Sequence, residues 1–558
     1  MATKNRLIFL ALILLTLLTI FLVFQNISKK QMVCWDEGNN IYVGNTITQA
    51  IRHRNWPKFW QLTLSQLHYP FFQSWYLGFI SLPFEYTIES SRLVSLFLLL
   101  PAVILMWFLA QKLSRQEAVG FLAVIFLLTS PNLLLLFSMV LKEGFGATLT
   151  LLTFFGYLTA RQHQKISYYF ITGLSLLLVM LTKYNFGVLV LGVLGLESII
   201  WLIREKKYLN KNYWLFNLCL YLPLTIGMTI WIALQPNQGQ VSEILLAFKQ
   251  FMLPGQENIF NLYETNFGGH LLFYPLELAF AYTFSWLAFL FLTAGFVFSF
   301  SEWRDYKVRV LGLFFLVNFL AAEKNIVNNQ GRYIATCVPF FFLVGSDGLV
   351  NLYSKVRKIK LDSVGTGLLA PILIFAIFTL IKDFISFPKY LPGLASHEIL
   401  SAVFYQQDYL PGGKYISMFD FDRNNWPKIP PESDMEKIPD VMNFILDNVD
   451  LSKTINFAGF LNEFSPGLAF FYVDKAREKL ASQGNALRIW QEQPSKYQEY
   501  FAVILVEDGT RFDTYAYRIF THLNSLYEAK QVLSDKSLTL IKQKEFKDLG
   551  LTVSILGR

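Results

Sequence analysis

Residues Tyr69 to Tyr86 read YPFFQSWYLGFISLPFEY, and whether this stretch crosses a membrane decides the fold of the chain. A span needs about 20 apolar residues at 1.5 Å rise per residue, and this stretch approaches that. One apolar run lies before it, at 7–24. Ten follow, at 93–110, 118–137, 144–160, 167–182, 185–203, 213–234, 279–300, 308–322, 333–350 and 367–385. If Tyr69–Tyr86 crossed as well, every later loop would change sides. The loop charges decide against it, because Lys and Arg gather on the cytoplasmic side. With the stretch left outside and the N-terminus inside, the inner loops hold Lys4/Arg6, Lys112/Arg115, Arg161/Lys165, Arg204/Lys206/Lys207/Lys211, Arg304/Lys307/Arg309 and Lys355/Arg357/Lys358/Lys360. Beyond the first outer loop, the other side has only Lys142, Lys183, Lys249, Lys324 and Arg332. The expectation is eleven spans with Tyr69–Tyr86 half-embedded in an outer loop. No small-residue cleavage site follows Phe24, so the first span reads as a retained anchor.

Composition agrees with a bilayer setting. The 558 residues are 54% hydrophobic and 16% charged, against roughly 25% charged in soluble domains. That excludes a cytosolic enzyme, a disordered scaffold and a nucleic-acid-binding module despite the net charge of +8. Split after Phe387, the charge is +11 in the membrane part and −3 in the tail. The basic residues therefore serve orientation first. Cys34, Cys219 and Cys337 show no paired spacing.

The first outer loop, residues 25–92, carries two stripes at helical spacing. One is Val43, Ile47, Ala50 and Ile51; the other is Trp56, Phe59, Trp60, Leu64 and Leu67. These predict two amphipathic helices on the membrane surface, tryptophans at headgroup depth. A later outer loop, 235–278, has Pro254-Gly255 and Gly268-Gly269 as hinges for a mobile lid. From 388 the chain predicts a soluble extracytoplasmic α/β domain. Its elements are a strand in YFAVILVED (500–508), an amphipathic helix over Thr514–Leu533 and two strands flanking Lys547-Asp548-Leu549-Gly550. The division is 1–387 for the membrane domain and 388–558 for the tail.

Ionisable residues at the ends of spans are costly to bury and mark function by default. Asp36-Glu37, just past the first span, is the leading pair. Like charges side by side raise one pKa and keep a proton acceptor near neutrality. Two acids in a solvated loop give the same sequence. Lys183 stands between two apolar runs against the charge bias. Arg332 and Arg92 open spans, where an arginine can also snorkel to the interface. Glu143 beside Lys142 fits an ion pair and a second acidic site equally well.

The order of these features resembles the GT-C glycosyltransferases. The features are Asp36-Glu37 after the first span, two amphipathic helices, His68-Tyr69-Pro70-Phe71-Phe72-Gln73-Ser74-Trp75-Tyr76, and Ser91-Arg92-Leu93 at the second span. Thr129-Ser130-Pro131-Asn132 then leads to Lys142-Glu143-Gly144, followed by Leu181-Thr182-Lys183 and Gly331-Arg332-Tyr333 with Pro339. More narrowly the pattern looks like the branch of protein O-mannosyltransferases, lipid A aminoarabinose transferases and their bacterial relatives, over residues 7–385. Tyr69-Pro70 replaces the usual Pro-Pro, and Glu143 stands where many members have Asp.

The resemblance implies an α-helical polytopic fold of about eleven spans, in the bacterial cytoplasmic membrane. It implies transfer, with inversion, of a hexosyl or pentosyl group from a polyprenyl-phosphate-linked donor. The acceptor is a glycan, lipid or protein on the outer face. Asp36 is then the base and Glu37 its helper. Lys183 and Arg332, then Arg92 and Lys142, hold the donor phosphate; Glu143, His68, Tyr69, Tyr333 and His270 contact substrate. No metal ligand set and no cofactor are expected, and no nucleic-acid partner. The competing readings are a transporter, which intramembrane charges would also suit, and a non-catalytic envelope assembly protein. A transporter would show internal repeats, which this sequence lacks, and the charges here sit at outer span ends instead; an assembly protein would have no reason to require Asp36.

Overall fold

The computed structural model describes residues 3–25, 35–245 except 68, 115, 238 and 243, 274–324 except 276, 277, 284 and 285, and 331–357. In the C-terminal part it describes 431–451, 454–458, 471–472, 475–476, 499–506, 532–546 and 551–557. The protein is a polytopic helical membrane protein carrying a small sheet.

Ten of the eleven apolar runs lie in helices. The first is α1 (Thr3–Val23); the loop after it carries α2 (Trp35–Arg52), α3 (Trp56–Leu64) and α4 (Phe72–Ile80). The next run is shared by α5 (Ile88–Leu96) and α6 (Leu99–Leu113), and the one after by α7 (Glu117–Leu128) and α8 (Pro131–Ser138). Then come α9 (Lys142–His163), α10 (Ile166–Met180), α11 (Tyr184–Arg204), α12 (Lys211–Ala233), α13 (Trp286–Ser299), α14 (Tyr306–Lys324) and α15 (Val338–Arg357). Among the described residues four spans, Arg6–Val23, Ile88–Leu113, Tyr184–Arg204 and Lys211–Ala233, are long and apolar enough to cross a membrane unaided. The others are shorter, bent or charged. The eleventh run, 367–385, lies outside the described residues, as do most of 235–278 and the helix expected over Thr514–Leu533.

The stretch Tyr69–Tyr86 does not form a span. Its helix α4 has nine residues, about 13 Å of rise against about 30 Å of hydrocarbon. It packs on α2, where Gly78 lies against Ile47 and Gly44 against Leu77. Gln73 and Ser74 are buried in it, while Phe79, Ile80 and Phe84 remain exposed. The two predicted amphipathic helices are α2 and α3, joined by a buried cluster of Ile47, Ala50 and Phe59. Trp56 and Trp60 project outward from it.

The run 118–137, expected as one span, is bent by 64° between α7 and α8. Pro131 opens α8, and a proline disfavours helical backbone in the residue before it. Ser130 is accordingly extended. The bend carries Met139, Val140 and Leu141 to the first outer loop.

Without a hydrophobic drive between helices in lipid, small residues let backbones approach. The crossing of α13 and α15 uses Gly295, Gly345 and Gly348; a Cβ on Gly348 would collide with the Gly295 carbonyl, and one on Gly345 would stand 2.9 Å from the Leu292 carbonyl. Gly348→Ala should cost about 1–3 kcal/mol through forced overpacking. Thermal unfolding in detergent checks this: an unchanged midpoint would show that the helices slide apart freely.

The C-terminal part contains α16 (Pro431–Leu446), β1 (Thr454–Ala458), β2 (Glu499–Val506), β3 (Thr539–Phe546) and β4 (Leu551–Gly557). The strand order is β1-β2-β4-β3, with β1 and β2 parallel and the other pairs antiparallel. The strand at 500–508 and the pair flanking Lys547–Gly550 are thus present. Val441, Met442, Ile445, Phe471 and Val553 of this part share one buried cluster with Ile41, Leu77, Tyr86, Ile88 and Val94. The tail therefore sits against the first outer loop, at the end of the bundle that carries Asp36.

Candidate functional site

Helix direction separates two charged ends. Lys142 opens α9 and Arg161 lies in its last turn; Lys183 precedes α11 and Arg204 ends it. A 22-residue helix rises about 33 Å, so the groups at its two ends belong to different sites.

At the first-loop end, five ionisable side chains meet. Arg332 Nη1 donates to Asp36 Oδ2 at 2.6 Å, and Lys183 Nζ donates to Glu143 Oε1 at 2.9 Å. Lys142 Nζ donates to neutral oxygens instead, Asn40 Oδ1 at 2.8 Å and Gln73 Oε1 at 3.1 Å. Tyr69 and Tyr333 complete the group. Lys142 and Lys183 stand 5.3 and 5.5 Å from the centre of the Tyr69 ring, and Lys183 and Arg332 each 5.9 Å from that of Tyr333. Three cations thus face two carboxylates, leaving a net positive site for an anion. Asp36 is the accessible acid, its side chain 32% exposed against 3% for Glu143.

Glu37 and Arg92 lie elsewhere. Both are fully buried, joined by Nε–Oε1 and Nη2–Oε2 bonds of 2.7 Å each, and Glu37 Oε1 also accepts the Val140 N–H at 3.0 Å. The sequence reading has Arg92 holding donor phosphate and Glu37 helping Asp36; in the fold Nε and Nη2 of the Arg92 guanidinium are taken up by Glu37. Successive residues on α2 point about 100° apart, so Asp36 and Glu37 go to different partners. The expected rise from carboxylate repulsion is absent at Asp36. Burial opposes ionisation there, but the Arg332 guanidinium, aided by Lys183 and Lys142, holds the carboxyl below its ordinary value.

The first outer loop positions the cations. Ser95 Oγ donates to Met139 O at 2.7 Å, Asn40 Nδ2 to Val140 O at 2.8 Å and Gln73 Nε2 to Leu141 O at 2.8 Å. Phe72 N–H donates to Leu181 O at 3.0 Å, beside Lys183. Asn40 and Gln73 were not expected from the sequence; the one signal was a glutamine buried in an otherwise apolar helix. His68 and His270 lie outside the described residues. Among the described residues no group of three or more His, Cys, Asp or Glu side chains is placed to hold a metal.

At the other end, Glu197 binds Arg309 through 2.8 and 2.7 Å bonds, and Arg161 lies over the Trp201 ring at 3.7 Å. Arg309, expected only as a topology signal, is a buried clamp between α11 and α14.

Residues 68–231 match the family model of dolichyl-phosphate-mannose-protein mannosyltransferase, a segment that includes Arg92, Lys142, Glu143 and Lys183. Among solved structures the chain is similar to ArnT from Cupriavidus metallidurans bound to undecaprenyl phosphate. The identity is 11% and the TM-score 0.53, over 100% of this chain and 98% of that one. The apo form of the same protein gives 12% identity, TM-score 0.51 and the same coverage. No curated protein matches by sequence. The chain therefore has the fold of the GT-C superfamily of membrane glycosyltransferases.

Proposed function

We propose that the protein is an integral-membrane glycosyltransferase that moves a sugar from a polyprenyl-phosphate donor to an acceptor on the outer face of the membrane. The observation that carries this reading is the meeting of Lys142, Lys183 and Arg332 beside the accessible carboxylate of Asp36. The undecaprenyl phosphate held by the ArnT relative is a ligand of the same chemistry as the proposed donor's leaving group.

In the proposed reaction the acceptor oxygen or nitrogen attacks the anomeric carbon as the bond to the donor phosphate oxygen breaks. The leaving polyprenyl phosphate takes the bonding electron pair, and Asp36 takes the acceptor's proton. A single displacement inverts the anomeric centre. Charge developing on the phosphate is met by Arg332, Lys183 and Lys142, aimed in advance at one locus. Phosphate and Asp36 compete for Arg332, so donor arrival loosens the carboxylate from its partner and makes it a better base. The chain's own cations supply the stabilisation, with no cofactor. The tail and first loop face the extracytoplasmic side, with the N-terminus cytoplasmic, as the Lys/Arg bias directs.

The test is transfer of labelled sugar in proteoliposomes. A polyprenyl-phosphate sugar is expected to serve as donor where a nucleotide sugar does not, and EDTA is expected to leave the rate unchanged. A rate abolished by EDTA and restored by a divalent ion would overturn the metal-free mechanism. No transfer from any polyprenyl-phosphate sugar would overturn the function.

A further inference from the structure

We infer that Asn40 and Gln73 are positioning residues, an amide cradle that presents the Lys142 ammonium, uncommitted to any carboxylate, to the phosphate of the lipid-linked donor. The inference rests on the function proposed above.

Lys183 and Arg332 each already hold a carboxylate. Among the described residues none lies within ion-pair distance of Lys142, which is buried. Its ammonium bonds to two amide oxygens instead, one from α2 and one from α4. The orientation of those amides is imposed from behind. Each NH₂ donates to a backbone carbonyl of the 139–141 turn, Asn40 to Val140 and Gln73 to Leu141, both at 2.8 Å. An amide whose nitrogen is held by a carbonyl must turn its oxygen the other way, so both oxygens face Lys142. The arrangement fixes the ammonium in place while adding no negative charge.

That distinction matters for an anion site. A carboxylate partner would both neutralise the lysine and compete with the incoming phosphate, whereas amide oxygens give way without leaving an unpaired charge. The groups facing Lys142 are Asp36 on α2, Glu143 at the start of α9, Lys183 before α11 and the Tyr69 ring ahead of α4. Burial, and then the Lys183 charge, outweigh the pull of Asp36 and Glu143, and the ammonium is pushed down to about 8. Phosphate binding through Lys142 should therefore weaken as pH rises through that value.

Two measurements test the cradle. The first follows acylation of Lys142 by an amine reagent against pH, read by mass spectrometry on the full-length protein. The second is binding of undecaprenyl phosphate, alone, across the same range. In Asn40→Asp and Gln73→Glu the amide becomes a carboxylate, so the Lys142 midpoint should rise by one unit or more and undecaprenyl phosphate affinity should fall about tenfold. Lys142→Arg, charged at every pH, should bind without the loss above pH 8. A midpoint that stays put in both carboxylate variants while they remain folded overturns the cradle. A midpoint that moves with unchanged affinity overturns its role toward phosphate. If the wild type binds no undecaprenyl phosphate, the proposed function and the phosphate role fall together, and the acylation midpoint still decides whether the amides hold Lys142.

Discussion

Asp36→Asn is expected to lower transfer by about 10³-fold in kcat, the central size of a lost general base, with donor affinity kept. The amide retains an oxygen for the 2.6 Å bond from Arg332, so the site stays assembled while the proton acceptor goes. The wild-type pH profile carries a second sign of the same group. Arg332 holds the Asp36 carboxyl below its ordinary value. A base with a depressed pKa stays ionised as the medium is acidified, so the acid limb of activity should lie below the range of an ordinary aspartate. Asp36→Asn should show no such acid limb. Full turnover in a folded Asp36→Asn protein would mean that the accessible carboxylate is not the base.

Glu37→Gln is expected to act through folding. It leaves the fully buried Arg92 guanidinium without its counterion, and breaking such a pair costs about 3–5 kcal/mol. The melting temperature and the yield of monodisperse protein should drop, and activity should fall in proportion to the folded fraction. Glu37→Gln combined with Arg92→Met removes the stranded charge and should recover most of that stability. A Glu37→Gln protein that melts like the wild type yet turns over slowly would return Glu37 to the chemistry and remove it from the scaffold.

The contrast between these neighbouring acids shows where sequence reading stops. Asp36 and Glu37 stand side by side at the end of a span and invite one shared role. Their roles diverge because a helix turns them toward different partners, Arg332 from 296 residues downstream and Arg92 from 55. Likewise Lys183 stood out by breaking the charge bias, but its bond to Glu143 is a property of two chain segments brought together. Sequence left Glu143 open between pairing with Lys142 and acting as an independent acid; in the fold it pairs with Lys183. Asn40 and Gln73 gave almost no signal, since neutral amides are common and their meaning lies in what sits on each side of them.

Local chemistry was enough to establish the membrane class, ten of the helical segments, the two amphipathic helices of the first loop and the non-crossing stretch at Tyr69–Tyr86. Hydropathy, helical period and Lys/Arg bias are carried by residues near one another, so they survive without coordinates. The tertiary structure decided the 64° bend before α8, the seating of the tail on the first loop and the partners of Asp36, Glu37, Glu143 and Glu197. Those depend on distance across the fold, and charge pairing in a low-dielectric interior changes steeply with distance. The same stretch read first as a possible span supplies Gln73, whose place beside Lys142 only packing could reveal.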